Sequence, residues 1–171
     1  MEARVNTLDN PILICYDRSE GSRRAIEKTA ELFPGKTAII LHIWSPMAVI
    51  ATAYGGAVAI PTYSDDELQK AAATVADDGA RWATAVGLHA KPETAEVTFD
   101  GTWHTILDVA DEYEASLIVV GARGLSTFKS VMLGSVSHGI AQHSHRPVLV
   151  VPPAVTSSKN AGVLKREGVT A

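Results

Sequence analysis

The residues best suited to chemistry lie in one stretch, Gly121-Ala122-Arg123-Gly124 followed ten residues later by Gly134-Ser135-Val136-Ser137. Glycine at the end of a strand lets the backbone turn tightly and approach a ligand. Gly134-Ser135 stands where a helix begins, and there free amides and the positive end of the helix dipole favour an anion. Ser135 and Ser137 add hydroxyl donors. Two glycine turns flanking a loop could cradle a polyphosphate from both sides. The same residues read equally well as turn glycines and a helix cap, for which serine is a common choice. Arg123 and Lys129 are the cations of this loop, and they either touch phosphate or stand in solvent.

Better-known motifs fail on inspection. A P-loop needs Gly-Lys-Ser/Thr, but Phe128 precedes Lys129-Ser130. A dinucleotide fingerprint needs glycine where Arg123 stands. A nucleophile elbow needs glycine two residues either side of a serine, and Ser137 has Gly139 after it but Ser135 before it. Cys15 sits inside an apolar run and reads as a buried, inert thiol. His138 and His143 are five residues apart, roughly 140° around a helix, which argues against a shared metal; with His145 they read as surface histidines near a helix end. No catalytic residue and no metal ligand is assigned. Trp103 and His104 follow a strand end, where they either border the pocket or simply cap and pack.

These residues need elements to position them. Pro11–Tyr16, Thr37–Ile43, Ser116–Val120 and Pro147–Pro152 are short, nearly continuous apolar runs, the habit of strands buried on both faces of a parallel sheet. Glu93–Phe99 alternates more weakly through Ala95, Val97 and Phe99. Between the runs lie helical spacings: Ala25, Ile26, Thr29, Ala30 and Phe33, then Leu68, Ala72, Val75, Gly79 and Trp82, then Ile106, Leu107, Ala110 and Tyr113. Asp17, Ser19 and Ser22 are cap candidates for the first helix. Ser64-Asp-Asp-Glu67 fits a capping box that opens the second, expected to run to about His89. Thr102 or a residue nearby caps the third, through Ala115, and Ser135–Ser144 is the fourth. Ser45–Tyr63 is uncharged apart from its flanks, rich in Ala, Gly and Pro, and reads as a long excursion, with a short helix over Met47–Tyr54; it is a lid, a partner surface or a subunit contact. Strands alternating with amphipathic helices make an α/β fold with one parallel sheet covered on both faces. Ligands of such sheets bind outside the carboxyl ends of the strands, here Asp17, Ile43–Trp44, Phe99–Gly101 and Gly121.

Composition bounds the rest. The 171 residues are enough for about one domain. Apolar residues at 46% and charged residues at 20% argue against bulk disorder. A net charge of −4 without clustered Lys/Arg argues against nucleic acid. A single cysteine excludes an intrachain disulfide framework and suits a reducing cytoplasm. No run reaches the ~20 apolar residues of a membrane span.

Taken together, Gly121-x2-Gly124-x9-Gly134-Ser135 resembles the ATP-binding signature of the universal stress proteins. Ile12–Asp17-x-Ser19 is similar to their first strand and its Asp-x-Ser turn, Leu41-His42-Ile43 to their second strand, and Ser116–Gly121 and Arg146–Pro152 to their last two. The resemblance covers residues 9–153 and leaves 154–171 as a polar tail. It implies a three-layer αβα sandwich with a five-stranded parallel sheet, of the adenine nucleotide alpha hydrolase-like kind. It implies ATP as ligand, with a Mg²⁺ or Mn²⁺ ion admissible beside the phosphates, and a homodimer paired through strand 147–151. By resemblance, Asp17 holds the ribose hydroxyls or lies beside the adenine, and Ile43 presents its backbone to the adenine edge. Gly121, Ala122 and Gly124 wrap ribose and phosphates, while Gly134, Ser135, Val136 and Ser137 bind the terminal phosphates. The implied role is a nucleotide-dependent stress-response switch in the cytoplasm. A slow ATPase or nucleotide hydrolase, or a protein-interaction module using residues 45–63, are the alternatives.

Overall fold

The computed structural model describes residues 10–46, 63–122 and 133–154. The expected excursion over 45–63, with its helix at Met47–Tyr54, lies almost wholly outside the described residues, as do Arg123, Gly124 and Lys129 and most of the tail.

Among the described residues nine elements alternate: β1 (Ile12–Cys15), α1 (Glu20–Leu32), β2 (Thr37–Trp44), α2 (Asp65–Ala85), β3 (His89–Glu96), α3 (Thr102–Glu112), β4 (Leu117–Gly121), α4 (Ser135–His143) and β5 (Val148–Val151). The strands form one parallel sheet in the order β3-β2-β1-β4-β5. This is the expected α/β architecture, a five-stranded parallel sheet between helical layers. The apolar runs explain it. Leu13 and Ile14 are successive residues, point to opposite faces, and are both fully buried. Ile14, Ile26, Ile40 and Ala83 build the core on the α1/α2 face. Leu13, Leu41, Ile106, Ile118 and Ile140 build the one on the α3/α4 face.

The central strands follow the sequence closely, whereas the periphery corrects it. The capping box at Ser64 and Glu67 is present, but α2 ends at Ala85, and Gly87 at φ +100° turns the chain so that β3 begins at His89. The expected strand at Glu93–Phe99 therefore starts four residues earlier and ends at Glu96. Its pattern misleads because it is an edge strand with exposed Lys91 and Glu96, while the apolar Phe99 beyond it is fully exposed. The buried stripe of α2 is Ala72, Ala76, Gly79, Ala80 and Ala83, and Trp82 is 42% exposed. Only small residues fit so near the sheet: a Cβ on Gly79 would lie 2.6 Å from Tyr16 and 2.7 Å from Ile40. Phe33 and Tyr113 cap their helices from outside the buried stripes. Helix α3 is capped by Gly101 at φ +100°, ends at Glu112, and buries Thr105, Ile106, Val109 and Ala110.

Candidate functional site

From β1 the chain runs through β2 and β3 on one side of the sheet, then returns to β4 on the other. The order reverses between β1 and β4, where the loops diverge and leave a crevice at the carboxyl ends. A cleft of about 280 Å³ lies there. Asp17, Ile43, Gly121, Gly134, Ser135, Val136 and Ser137 all line it, so seven of the nine expected residues meet in one space. Ala122 follows Gly121 without lining the cleft, and Gly124 lies outside the described residues.

The β1 wall is a polar turn. After Tyr16 N–H donates the last rung to the Leu41 carbonyl (2.8 Å), the chain leaves the sheet through Arg18, at φ +65°. The Asp17 carboxylate accepts from Ser19 N–H through Oδ1 (3.0 Å). Ser19 is the N-cap of α1, its hydroxyl accepting from Ser22 N–H (3.1 Å). Asp17 is thereby held at the cleft by a local turn, and its two oxygens allow it a further acceptor contact. Ser19 and Ser22 also line the cleft, a placement their cap-like spacing did not disclose.

The β2 wall is a peptide edge. Even-numbered residues of β2 direct their backbone to β3, as the bond from Val97 N–H to the Trp44 carbonyl requires (2.8 Å). Odd-numbered residues face β1, as Leu41 does. Ile43 is the next in that series, and β1 has turned away beside it. Its N–H and C=O have no ladder partner on that side among the described residues. The Ile43 side chain packs on the α3/α4-face core.

The β4 wall revises the reading of one glycine. A Cβ on Gly121 would lie 2.7 Å from the backbone carbon of Gly21. The first turn of α1 therefore demands glycine at 121, with no ligand needed to explain it. Ala122 N–H donates to the Val151 carbonyl (2.8 Å), and the Ala122 carbonyl accepts from Gly134 N–H (2.9 Å). Both ends of the intervening loop are thus tied together at its base.

Helix α4 supplies the anion-binding chemistry. Gly134 is its N-cap with no side-chain cap bond. The first intrahelical bond is from His138 N–H to the Gly134 carbonyl (2.9 Å), so the amides of Ser135, Val136 and Ser137 precede the ladder. No acidic residue stands in this first turn. The two serines differ. Ser135 is exposed. Ser137 is 2% exposed, and its hydroxyl is engaged with the carbonyls of Ala122 (3.1 Å) and Gly134 (3.0 Å). Ser137 therefore fastens the helix start to β4 through its side chain and offers the cleft its amide.

Thr102 and Ile106 of α3 complete the wall, along with Cys15 and His42. Burial, reinforced by the nearby Asp17 charge, pushes the Cys15 thiol up to about 12. It is protonated at neutral pH, which fits the expected inert thiol. Trp103 lies instead on the seam between α3 and α4. Its ring stacks on His143 with centroids 4.6 Å apart and on His104 at 3.4 Å, and it fills the space a Cβ on Gly139 would take. Among the described residues no three His, Cys, Asp or Glu side chains gather as a metal site, and no helix is long and apolar enough to cross a membrane.

Residues 10–152 match the model of the Universal stress protein family. The chain is 34% identical over 148 residues to universal stress protein YxiE of Bacillus subtilis, across 83% of this chain and 98% of that one. Among solved structures, hypothetical protein MJ0577 superposes with a TM-score of 0.67 at 20% identity, covering 88% of this chain and all of that one. A universal stress protein in complex with cAMP superposes with a TM-score of 0.58 at 23% identity, covering 86% of this chain and all of that one.

Proposed function

The chain belongs to the universal stress protein family, and from that premise we propose that it binds ATP in the cleft at the sheet's switch point and acts as a nucleotide-dependent stress-response regulator. The observation that carries this is the pairing of chemistries at the two ends of the cleft. At one end the Ile43 N–H and C=O stand side by side without a ladder partner, a donor and an acceptor suited to the edge of a base. At the other, three amides precede the hydrogen-bond ladder of α4 with the positive end of its dipole, suited to phosphate. Asp17 lies between the two peptide walls, where its carboxylate accepts from ribose hydroxyls. A relative of the same fold was solved with cAMP, which supports an adenine nucleotide as the class.

Within this reading Gly134, Ser135, Val136 and Ser137 hold the terminal phosphates through backbone amides, with the Ser135 hydroxyl as a further donor. Gly121 and Ala122 contact ribose and phosphates together with Gly124. A bound ATP brings its Mg²⁺ or Mn²⁺ on its own phosphate oxygens. In a protein of net charge −4, local amides and hydroxyls replace a basic surface. The second part of the proposal is a homodimer in which Val148–Val151 pairs with the same strand of another copy.

Titration calorimetry with ATP and Mg²⁺ tests the site. The wild type binds, and Gly134→Leu loses at least about a hundredfold in affinity by filling the phosphate space. Gly134 has φ −62° and ψ 157°, open to any residue, so this variant removes space without straining the backbone. Retained affinity in Gly134→Leu overturns the site.

A further inference from the structure

We propose that His42 is a positioning residue for the base-reading edge of the cleft: its imidazole takes the Tyr16 carbonyl and so keeps the Ile43 N–H out of the sheet. This inference rests on the nucleotide reading above and adds to it a residue that touches no ligand for its effect.

In a parallel pair the donors of one strand alternate in direction, so the rung after Tyr16 N–H to Leu41 would run from Ile43 N–H to the Tyr16 carbonyl. That rung is missing among the described residues. The Tyr16 carbonyl instead lies 2.8 Å from His42 Nδ1. A carbonyl only accepts, so Nδ1 carries the proton and donates. Two donors lie beside this carbonyl, and the side chain holds it. Tyr16 is 5% exposed and pinned by its ring against Gly79. Its own N–H is bound to Leu41, and the following amide, Asp17 N–H, is directed to Ser22 Oγ (3.3 Å). A carbonyl oxygen can accept twice, yet among the described residues this one is met by the imidazole and not by the Ile43 N–H. With the imidazole in place, the sheet stops one rung short of Ile43, and the peptide edge that the base would meet stays open. An apolar side chain at 42 would leave a buried carbonyl without a partner, and the nearest remedy is to zip the Ile43 rung closed.

Asparagine is the informative replacement, because its amide nitrogen is a donor at nearly the reach of His Nδ1. Hydrogen exchange of the Ile43 amide is measured in the ligand-free protein for wild type, His42→Leu and His42→Asn, and affinities for ATP and for inorganic triphosphate are measured on the same samples. Wild type and His42→Asn are expected to exchange Ile43 rapidly, and His42→Leu to slow it at least about tenfold. His42→Leu should weaken ATP by roughly fivefold to tenfold, the worth of one hydrogen bond, leave triphosphate affinity unchanged, and be rescued by His42→Asn. Unchanged Ile43 exchange in His42→Leu overturns the proposal, as does an equal loss of ATP and triphosphate affinity, which marks a merely structural role. A wild type that binds no adenine nucleotide defeats the functional reading and with it the use of the open edge. The ligand-free exchange then still decides whether His42 holds the rung open.

Discussion

The two edges of the sheet solve the same problem in opposite ways. An edge strand presents unpaired N–H and C=O groups, and proteins either blunt such an edge or use it. On β3 the residues whose backbone faces away from β2 are Ala90, Pro92, Thr94 and Glu96, since Val97 N–H and His89 N–H both bond to β2 or its lead-in. Proline stands at one of these outward positions and supplies no donor, while exposed Lys91 and Glu96 add charge. On β5 the odd residues bond to β4, as Val151 does with Ala122. Val148 and Val150 therefore turn a donor and an acceptor each to the outside, with neither charge nor proline among the four residues of the strand. The fastening differs too. β3 pairs with β2 over eight residues, and the Tyr113 hydroxyl donates to its Glu93. β5 has four paired residues and an arginine near each end: Arg146 donates to the Ala115 carbonyl (2.7 Å) and Asp111 (2.9 Å), and Arg24 to the Pro152 carbonyl (3.0 Å). The contrast is that, among the described residues, β3 is guarded by proline and charge while β5 is a short strand held at both ends with its outward backbone groups unguarded, the edge on which the proposed dimer rests.

The strongest way to break the contrast is to give β5 what β3 has. Val150→Pro removes an outward donor and leaves the β4 ladder intact. Each copy loses one hydrogen bond worth about 1 kcal/mol, so the proposed dimer should weaken by roughly tenfold to a hundredfold, read by light scattering on a concentration series. A variant that stays dimeric at every concentration shows that the copies meet elsewhere.

How much of this was legible in the sequence depends on burial. The strands at the centre announce themselves because both faces are covered, and Ile12–Cys15 or Leu117–Gly121 have no reason to be polar. β3 hides because it is half exposed and guarded by charge, so its apolar neighbours Val97 and Phe99 draw the expected strand to start four residues late and end three residues late. The stripe of α2 hides for another reason: close approach to the sheet selects alanine and glycine, and hydrophobicity then points to Trp82, which the helix turns outward. At the cleft, glycine spacing and cap-like serines were visible, but their reasons were not. Gly121 answers to Gly21 across 100 residues of chain, and His42 gains meaning only once the ladder's direction is known. Such pairings are long-range facts that spacing does not carry.

A second test removes fastenings and ranks the edges by stability. Arg146→Ala deletes charge-assisted bonds to a carbonyl and should cost about 1–2 kcal/mol, lowering Tm by roughly 3–6 °C. Tyr113→Phe, on the better-paired edge, should cost less, about 0.5–1 kcal/mol. Cys15 reports the same ranking from the centre of the sheet. Burial and the Asp17 charge push its thiol up to about 12, so it is protonated at pH 8 and a thiol reagent labels it slowly. Opening of the sheet accelerates labelling, more in Arg146→Ala than in Tyr113→Phe. The linkage has a definite sign. The folded value lies above the unfolded one, so this group's contribution to stability is complete below about 8.5 and is lost as pH rises towards 12. Equal acceleration in both variants would erase the distinction between the edges.

The smallest effect comes from the reverse exchange, Pro92→Val. It restores one outward donor on β3 and raises β-propensity. Lys91 and Glu96 remain as exposed charges that resist being covered. The expected outcome is an unchanged Tm within about 0.5 kcal/mol, an unchanged dimer, and weak further association visible only in sedimentation at high protein concentration. If Pro92→Val instead assembles into large species at low concentration, the proline alone protects β3. The difference between the two edges then reduces to a single missing donor, and Val150→Pro should be sufficient by itself to make β5 behave as β3 does.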